Sequence, residues 1–353
     1  MKTQRRSNFE LLRILCILVI LLMHTQTHIS GSDVSLFNAR LLKFLSNIGG
    51  DISIVCFILI SGYFKVTLKW EQVIRLIFLT TLYGLLSFFL NQGFSSVNFV
   101  EFTKRMFVIP LYNNWFISCY LVLMLLSPFI NQFCEMCDKR TFTKLIVFLL
   151  IPFSLIPTIF NSSYHTILSD GGKCLIYFIF LYLTGRYICL HRDINVSRKK
   201  AILVFIMSTL IIKILDFTVS AVFNKPTSPM IYNDCSIFIY ISSISIFYLF
   251  KSFTFQSKLI NYLSANVLAV FLLDELRYFL DDRFIHLATH ANSNTFVVYW
   301  IILVLFTFFV CTTIDKIRIL LFTKAENYMI QLIIRVSNYV YMKLKFSLKF
   351  LYE

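Results

Sequence analysis

Apolar residues arrive along this chain in long unbroken tracts, without the two-residue alternation of strands or the narrow stripe of a surface helix. The tracts fall near residues 9–29, 44–64, 72–90, 115–132, 143–160, 173–190, 201–222, 235–251, 260–280 and 296–320. Each is close to the roughly 20 residues that an α-helix needs to cross a bilayer's hydrocarbon. The pattern predicts an all-α membrane protein, a bundle of about ten transmembrane helices. No A-x-A-like cleavage site follows the first tract, which is expected to be a retained helix. Residues 1–322 are expected to form the membrane domain and 323–353 a basic amphipathic cytoplasmic tail.

Composition agrees with that pattern. Of 353 residues, 58% are hydrophobic and 14% charged, against about 25% charged in a soluble domain. The net charge of +15 invites a nucleic-acid reading, but the positions of the bases argue against one. Lys2, Arg5 and Arg6 precede the first tract, Lys65 and Lys69 follow the second, and Lys139, Arg140 and Lys144 follow the fourth. Arg192, Arg198, Lys199 and Lys200 follow the sixth, Lys251 and Lys258 the eighth, and a basic tail runs from Lys316 to Lys349. The alternate loops hold fewer bases: Arg40, Lys43, Lys104, Arg105, Lys173, Lys225 and Arg283. This alternation places both termini in the cytoplasm by the positive-inside rule. The bases then record topology and contact with anionic lipid, and no nucleic-acid partner is expected.

Metal chemistry finds no support. Cys134 and Cys137 form a lone CxxC without the second pair of ligands that a zinc site requires. His286 and His290 share a helical face if their loop is helical, but lack the Glu of an HExxH motif. No metal is expected.

The first tract, RSNFELLRILCILVILLMH, carries charge on one face. Arg13 and His24 are eleven residues apart, which leaves them within roughly 20° of each other and about 16 Å apart along the axis. Arg6, Glu10 and His28 fall on the same stripe. Arg6 can serve as a membrane anchor, Glu10 as an ion-pair partner for Arg6 or Arg13, and Arg13 can reach lipid heads. His24 has no such escape and should face the protein interior or a wet cavity. Both a structural and a chemical histidine satisfy that requirement.

ELLRILCILVILLMH resembles the opening helix of acyltransferase family 3, the integral-membrane acyltransferases. ILISGYF at 58–64 is similar to the end of that family's second helix, and WFISCYLVLMLLSPFIN at 115–131 to its fourth. IYFIFLYLTGRYI at 176–188 resembles a further segment ending in GRY. The resemblance runs over essentially the whole chain, in matching order, and points to the branch that modifies surface polysaccharides. It implies transfer of an acyl group, commonly acetyl from acetyl-CoA, to a carbohydrate hydroxyl, with the family's functional pair at Arg13 and His24. Two positions depart from the family pattern. Val55 stands where a polar residue is usual, with Asp51 one turn earlier; Asp274 stands where YLIH has its His, beside Glu275 and Arg277.

On this basis His24 is expected to act as general base or as acyl-accepting nucleophile. Arg13, flanked by Glu10 and Arg6, is expected to hold CoA phosphates. Trp115, Tyr120, Asp51, Asp274 and Glu275 are the acceptor-side candidates, while Ser61, Gly62 and Tyr63 either line the donor entrance or pack helices closely. The expected protein is an O-acetyltransferase of the bacterial cytoplasmic (inner) membrane. Its partners are acyl-CoA, a lipid-linked or nascent glycan acceptor and the bilayer. The competing reading is a polysaccharide polymerase or lipid-linked-sugar flippase, which leaves the Arg13–His24 spacing unexplained and calls for longer outer loops or more spans.

Overall fold

The computed structural model describes residues 5–29, 33–92, 99–106, 114–160, 170–191, 196–223 and 234–352. Lys2, Arg192 and Lys225 lie outside them. The described residues are almost entirely helical and contain no strand. Helices run α1 (Ser7–His24), α2 (Leu36–Tyr63), α3 (Trp70–Gln92), α4 (Phe99–Met106), α5 (Trp115–Met136), α6 (Lys139–Leu150) and α7 (Ile156–Phe160). They continue as α8 (Leu175–Leu190), α9 (Arg198–Phe223), α10 (Ile237–Lys251), α11 (Lys258–Ser264), α12 (Val267–Leu272), α13 (Leu276–Leu280) and α14 (Phe296–Tyr352).

All ten apolar tracts are helical, but they are not equivalent. By length and apolarity, five helices among the described residues can cross a membrane, or six if one bent pair counts as a single span. Three further apolar helices are shorter: 49–63, α8 and α10. Outward faces carry exposed Phe148, Leu203, Phe217 and Phe309, as suits surfaces that meet lipid.

Local chemistry sets several helix starts. Asn114 Oδ1 accepts from Ile117 N–H at 3.2 Å, Asp138 Oδ2 from Thr141 N–H at 3.0 Å and Ser257 Oγ from Ile260 N–H at 3.3 Å. The Thr141 bonds also hold the Asp138 carboxyl below its usual range. After Leu150, α6 widens into a π turn at Ile151–Leu155, where Pro152 has no N–H to continue the α pattern.

Helix α1 is central and packs against α2, α10, α11, α12 and α14. Its start is tied to one end of the bundle: Ser7 Oγ meets Asn261 Oδ1 at 3.0 Å, and Asn8 Nδ2 donates to Phe250 O at 2.9 Å. At the other end Trp300 Nε1 donates to Thr25 Oγ1 at 2.5 Å.

Three stretches noted in the sequence meet. Gly62 of ISGYF and Gly185 of GRY face each other across α2 and α8, and no Cβ fits at either. Asn131 of the SPFIN segment donates to Val66 O at 2.8 Å and accepts from the Tyr182 hydroxyl at 2.8 Å. Buried Arg186 reaches Glu135 at 3.5 Å, and Lys65 Nζ lies 2.5 Å from the same carboxylate. Gly62 therefore packs closely, and the role left open for it in the sequence is structural.

The tract at 260–280 is not one straight helix. Its two halves, Lys258–Leu272 and Leu276–Ile285, meet at 91°. Carbonyls at the break take a side-chain donor besides a backbone one: Arg277 Nη1 reaches Asp274 O at 3.0 Å, and Asn91 Nδ2 reaches Glu275 O at 3.1 Å. Such capture is what allows a helix to break inside an apolar bundle. The near end of this segment is fixed by Asn266, which donates to Asp315 Oδ2. Asp315 also accepts from the Tyr83 hydroxyl at 2.5 Å and Arg318 Nε at 2.9 Å. Beyond residue 322, α14 continues unbroken to Tyr352. Glu326 on that extension is buried against Arg318 at 2.5 Å and Arg75 at 3.7 Å.

The glycine contact gives a direct stability test. A Cβ at Gly62 would sit 2.3 Å from Tyr182 O, and one at Gly185 would sit 2.4 Å from Leu59 O. Gly62→Ala and Gly185→Ala are each expected to destabilise by about 1–3 kcal/mol. Gly84→Ala, whose nearest neighbour is Arg105 Cδ at 3.8 Å, should be neutral or stabilising. Thermal melting in detergent reads all three.

Candidate functional site

The stripe on α1 leads into two cavities. Toward the start of the helix, a cavity of about 570 Å³ is lined by Arg5, Arg13, Lys65 and Arg75, with Ser61 and Tyr120 on its walls. Toward its end, a cavity of about 300 Å³ is lined by His24, Asp51, Trp115, Asp234, Asp274 and Glu275. The first is basic and the second holds most of the carboxylates, so the polarity of α1 separates two kinds of ligand environment.

His24 is the last residue of α1. Its Nδ1 lies 2.6 Å from Asp274 Oδ2. Asp274 sits at the break between α12 and α13, and Arg277 Nη1, one turn on, donates to the same oxygen. Arg277 Nη2 reaches the Tyr278 hydroxyl at 3.1 Å, and Thr27 Oγ1 meets that hydroxyl at 2.9 Å. With Nδ1 engaged by a carboxylate, the neutral ring carries its proton there and presents Nε2 as the free base.

A second histidine–aspartate pair lies one turn further along. His28 Nδ1 meets Asp281 Oδ2 at 2.7 Å, while Asp281 Oδ1 accepts from Leu287 N–H at 2.8 Å. The His28 ring stacks on Tyr278 with centroids 4.6 Å apart. The two pairs differ in access: the His28 side chain is 2% exposed and that of His24 is 33%. His28 is therefore a buried clamp between α1 and the segment after α13, and His24 faces the cavity.

On the acceptor-side candidates, the structure brings Asp51, Trp115, Asp274 and Glu275 into the His24 cavity. Glu275 also pairs with Arg105. Asp51 and Asp234 come together in this cavity from α2 and the residue preceding the eighth tract. Burial raises the Asp234 carboxyl above its usual value, while Asp51 and Lys173 oppose the rise. Tyr120 is placed differently from the other candidates. It lines the basic cavity, 3.4 Å from Ser61 Oγ, because five residues of α5 turn and rise carry it past Trp115 toward the other end.

Among the donor-side candidates, Arg13 lines the basic cavity and pairs with buried Glu10 at 3.3 Å. Glu10 thus acts on the cavity through Arg13. Arg6 lines neither cavity and lies 3.5 Å from the Tyr63 hydroxyl; its neighbour Arg5 is the cavity residue. Lys65 closes α2 with a left-handed backbone, φ 60°, a conformation disfavoured for a residue with a Cβ. Its side chain lines the basic cavity, with Nζ paired to Glu135.

His286 also has a left-handed backbone, φ 53°, so no helical face joins it to His290, which stacks on Tyr299 at 3.6 Å. Cys134 and Cys137 are free thiols, the first buried against Phe142.

Asp234, Lys173, Arg105, Arg75 and Lys65 join the cavities from distant parts of the sequence, where each reads as a loop or interface charge. Arg277 and His28 carried a usable signal, an ionisable residue inside or beside an apolar tract.

A family model described as an acyltransferase domain matches residues 6–316. No curated protein and no solved structure matches the chain.

The difference between the two histidines predicts unequal costs. His28→Ala strips a buried carboxylate of a partner and should destabilise by about 3 kcal/mol. His24→Ala leaves Asp274 paired with Arg277 and should cost under about 1 kcal/mol. Melting of the detergent-solubilised variants checks the order.

Proposed function

The chain belongs to acyltransferase family 3, and from that premise we propose a membrane O-acetyltransferase. It moves acetyl from acetyl-CoA to a hydroxyl of a surface polysaccharide or its lipid-linked precursor. The observation that carries this reading is the position of His24: oriented by Asp274, in a cavity that adjoins a second, basic one.

CoA's phosphates suit the basic cavity, where the Arg13 guanidinium offers a planar two-pronged contact and Arg5, Lys65 and Arg75 add charge. The acceptor sugar suits the other cavity. Asp51, Asp234 and Glu275 are matched to hydroxyl hydrogens there, and the Trp115 ring to a sugar face. In the reaction, His24 Nε2 takes the proton of the acceptor hydroxyl as its oxygen attacks the thioester carbonyl. The new C–O bond forms, the C–S bond breaks, and the proton passes from His24 to the departing CoA sulfur. Asp274 stabilises the imidazolium between these events, and Arg277 keeps Asp274 in place. Transfer through an acyl-histidine uses the same atoms in two steps.

The fuller topology proposed is ten crossings with both termini cytoplasmic in a bacterial inner membrane. It puts the basic cavity on the side where CoA is made and the His24 cavity toward the outside. The polymerase and flippase readings have no use for a cavity-facing histidine held by an aspartate.

The test is transfer of labelled acetyl from acetyl-CoA to native glycan in membranes, normalised to protein amount. His24→Ala and His24→Gln should both lose about 100-fold or more, since glutamine replaces a hydrogen bond but not a base. Asp274→Asn should lower kcat by roughly 100-fold at an unchanged KM for donor. Arg13→Lys should mainly raise that KM. Substantial activity in His24→Gln sinks the assignment of His24 as base or nucleophile.

A further inference from the structure

The two cavities have a common wall. Ile20, Phe116 and Phe271 line both of them. The three side chains come from different elements: Ile20 from α1, one turn before His24; Phe116 from the start of α5; and Phe271 from α12, three residues before Asp274. All three are apolar, so the wall offers no hydrogen bond to anything passing it.

The wall is also stiff. Ile20 is 3% exposed, and a β-branched residue in a helix holds one χ1 rotamer. The Phe116 and Phe271 ring centroids lie 5.2 Å apart at 58°. Phe116 is backed by fully buried Phe178 at 5.3 Å and stacks parallel to Tyr120. It can yield only if its neighbours move too.

An acyl-CoA anchored by phosphate contacts at Arg13 belongs to one cavity, while the base belongs to the other. The thioester must reach His24 at the wall, with its acyl group between these three side chains. We infer that Ile20, Phe116 and Phe271 form an acyl gauge that sets chain length, passing a two-carbon group and rejecting longer ones. Phe271 is the residue best placed to do so, because it joins the wall directly to the Asp274 break. The inference rests on the acyl-CoA reading above and adds to it the residues that choose the acyl group.

The experiment compares acetyl-CoA with butyryl-CoA, each labelled in the acyl group, in membranes containing the native glycan. The ratio of butyryl to acetyl incorporated is the readout, which protein amount does not affect. Wild type should strongly favour acetyl. Phe271→Ala should raise the butyryl-to-acetyl ratio by about tenfold or more, as expected for space worth a methylene or two. Ile20→Val, which removes a single methylene, should shift it in the same direction by less. If Phe271→Ala fails to accumulate, Phe271→Leu and Ile20→Val decide by the same ratio. A wild type that transfers acetyl while the variants keep its ratio overturns the gauge and leaves the acetyltransferase reading standing. A wild type that transfers nothing from acetyl-CoA overturns both.

Discussion

An ionisable side chain inside an apolar bundle must have a partner, and here the bond between His24 and Asp274 meets that requirement for two elements at once. His24 ends the central helix, and Asp274 sits where the ninth apolar tract bends by 91°. Without the bend, Asp274 would be one more residue on a helix flank. With it, the Asp274 carboxylate meets the end of α1, while Arg277 and Asn91 add side-chain donors to the carbonyls of Asp274 and Glu275. The His28–Asp281 clamp repeats the connection one turn on, in a fully buried form. The same crossing therefore holds the bundle together and orients the histidine.

Around that crossing the bundle separates two environments. At one end, Lys65, Arg13 and Arg75 face a basic cavity. Close glycine packing between α2 and α8 sets the place of the α2 terminus, and with it Lys65. At the other end, carboxyls and one tryptophan surround the exposed ring edge of His24. Three apolar side chains lie between. This multi-pass membrane protein keeps a basic region and a carboxylate-rich region apart, with His24 in the second.

Much of this was legible in the sequence because helical periodicity is a local rule. Eleven residues between Arg13 and His24 fix one face, so both appear on one side of α1, in adjoining cavities. Asp274 was visible as a departure from a family pattern, though its bond to His24 spans 250 residues and no local rule supplies it. The same limit hid Asp234 and Lys173, which reach Asp51 only through tertiary packing. Tyr120 shows a related limit: an aromatic cluster at a helix start reads as one patch, while helical rise places Trp115 and Tyr120 on different cavities. Continuity of α14 beyond residue 322 was likewise hidden, since the change from apolar to basic composition looks like a boundary but leaves helix propensity intact.

The central claim is that His24 performs acetyl transfer to a surface glycan. Mass spectrometry of that glycan tests it most directly, in cells carrying the wild-type gene, no gene, or the His24→Gln variant at matched protein level. The account predicts an acetyl-sized mass on the glycan in the first case and its absence in the other two. Glycan of identical mass in all three, or full acetylation with His24→Gln, would contradict it.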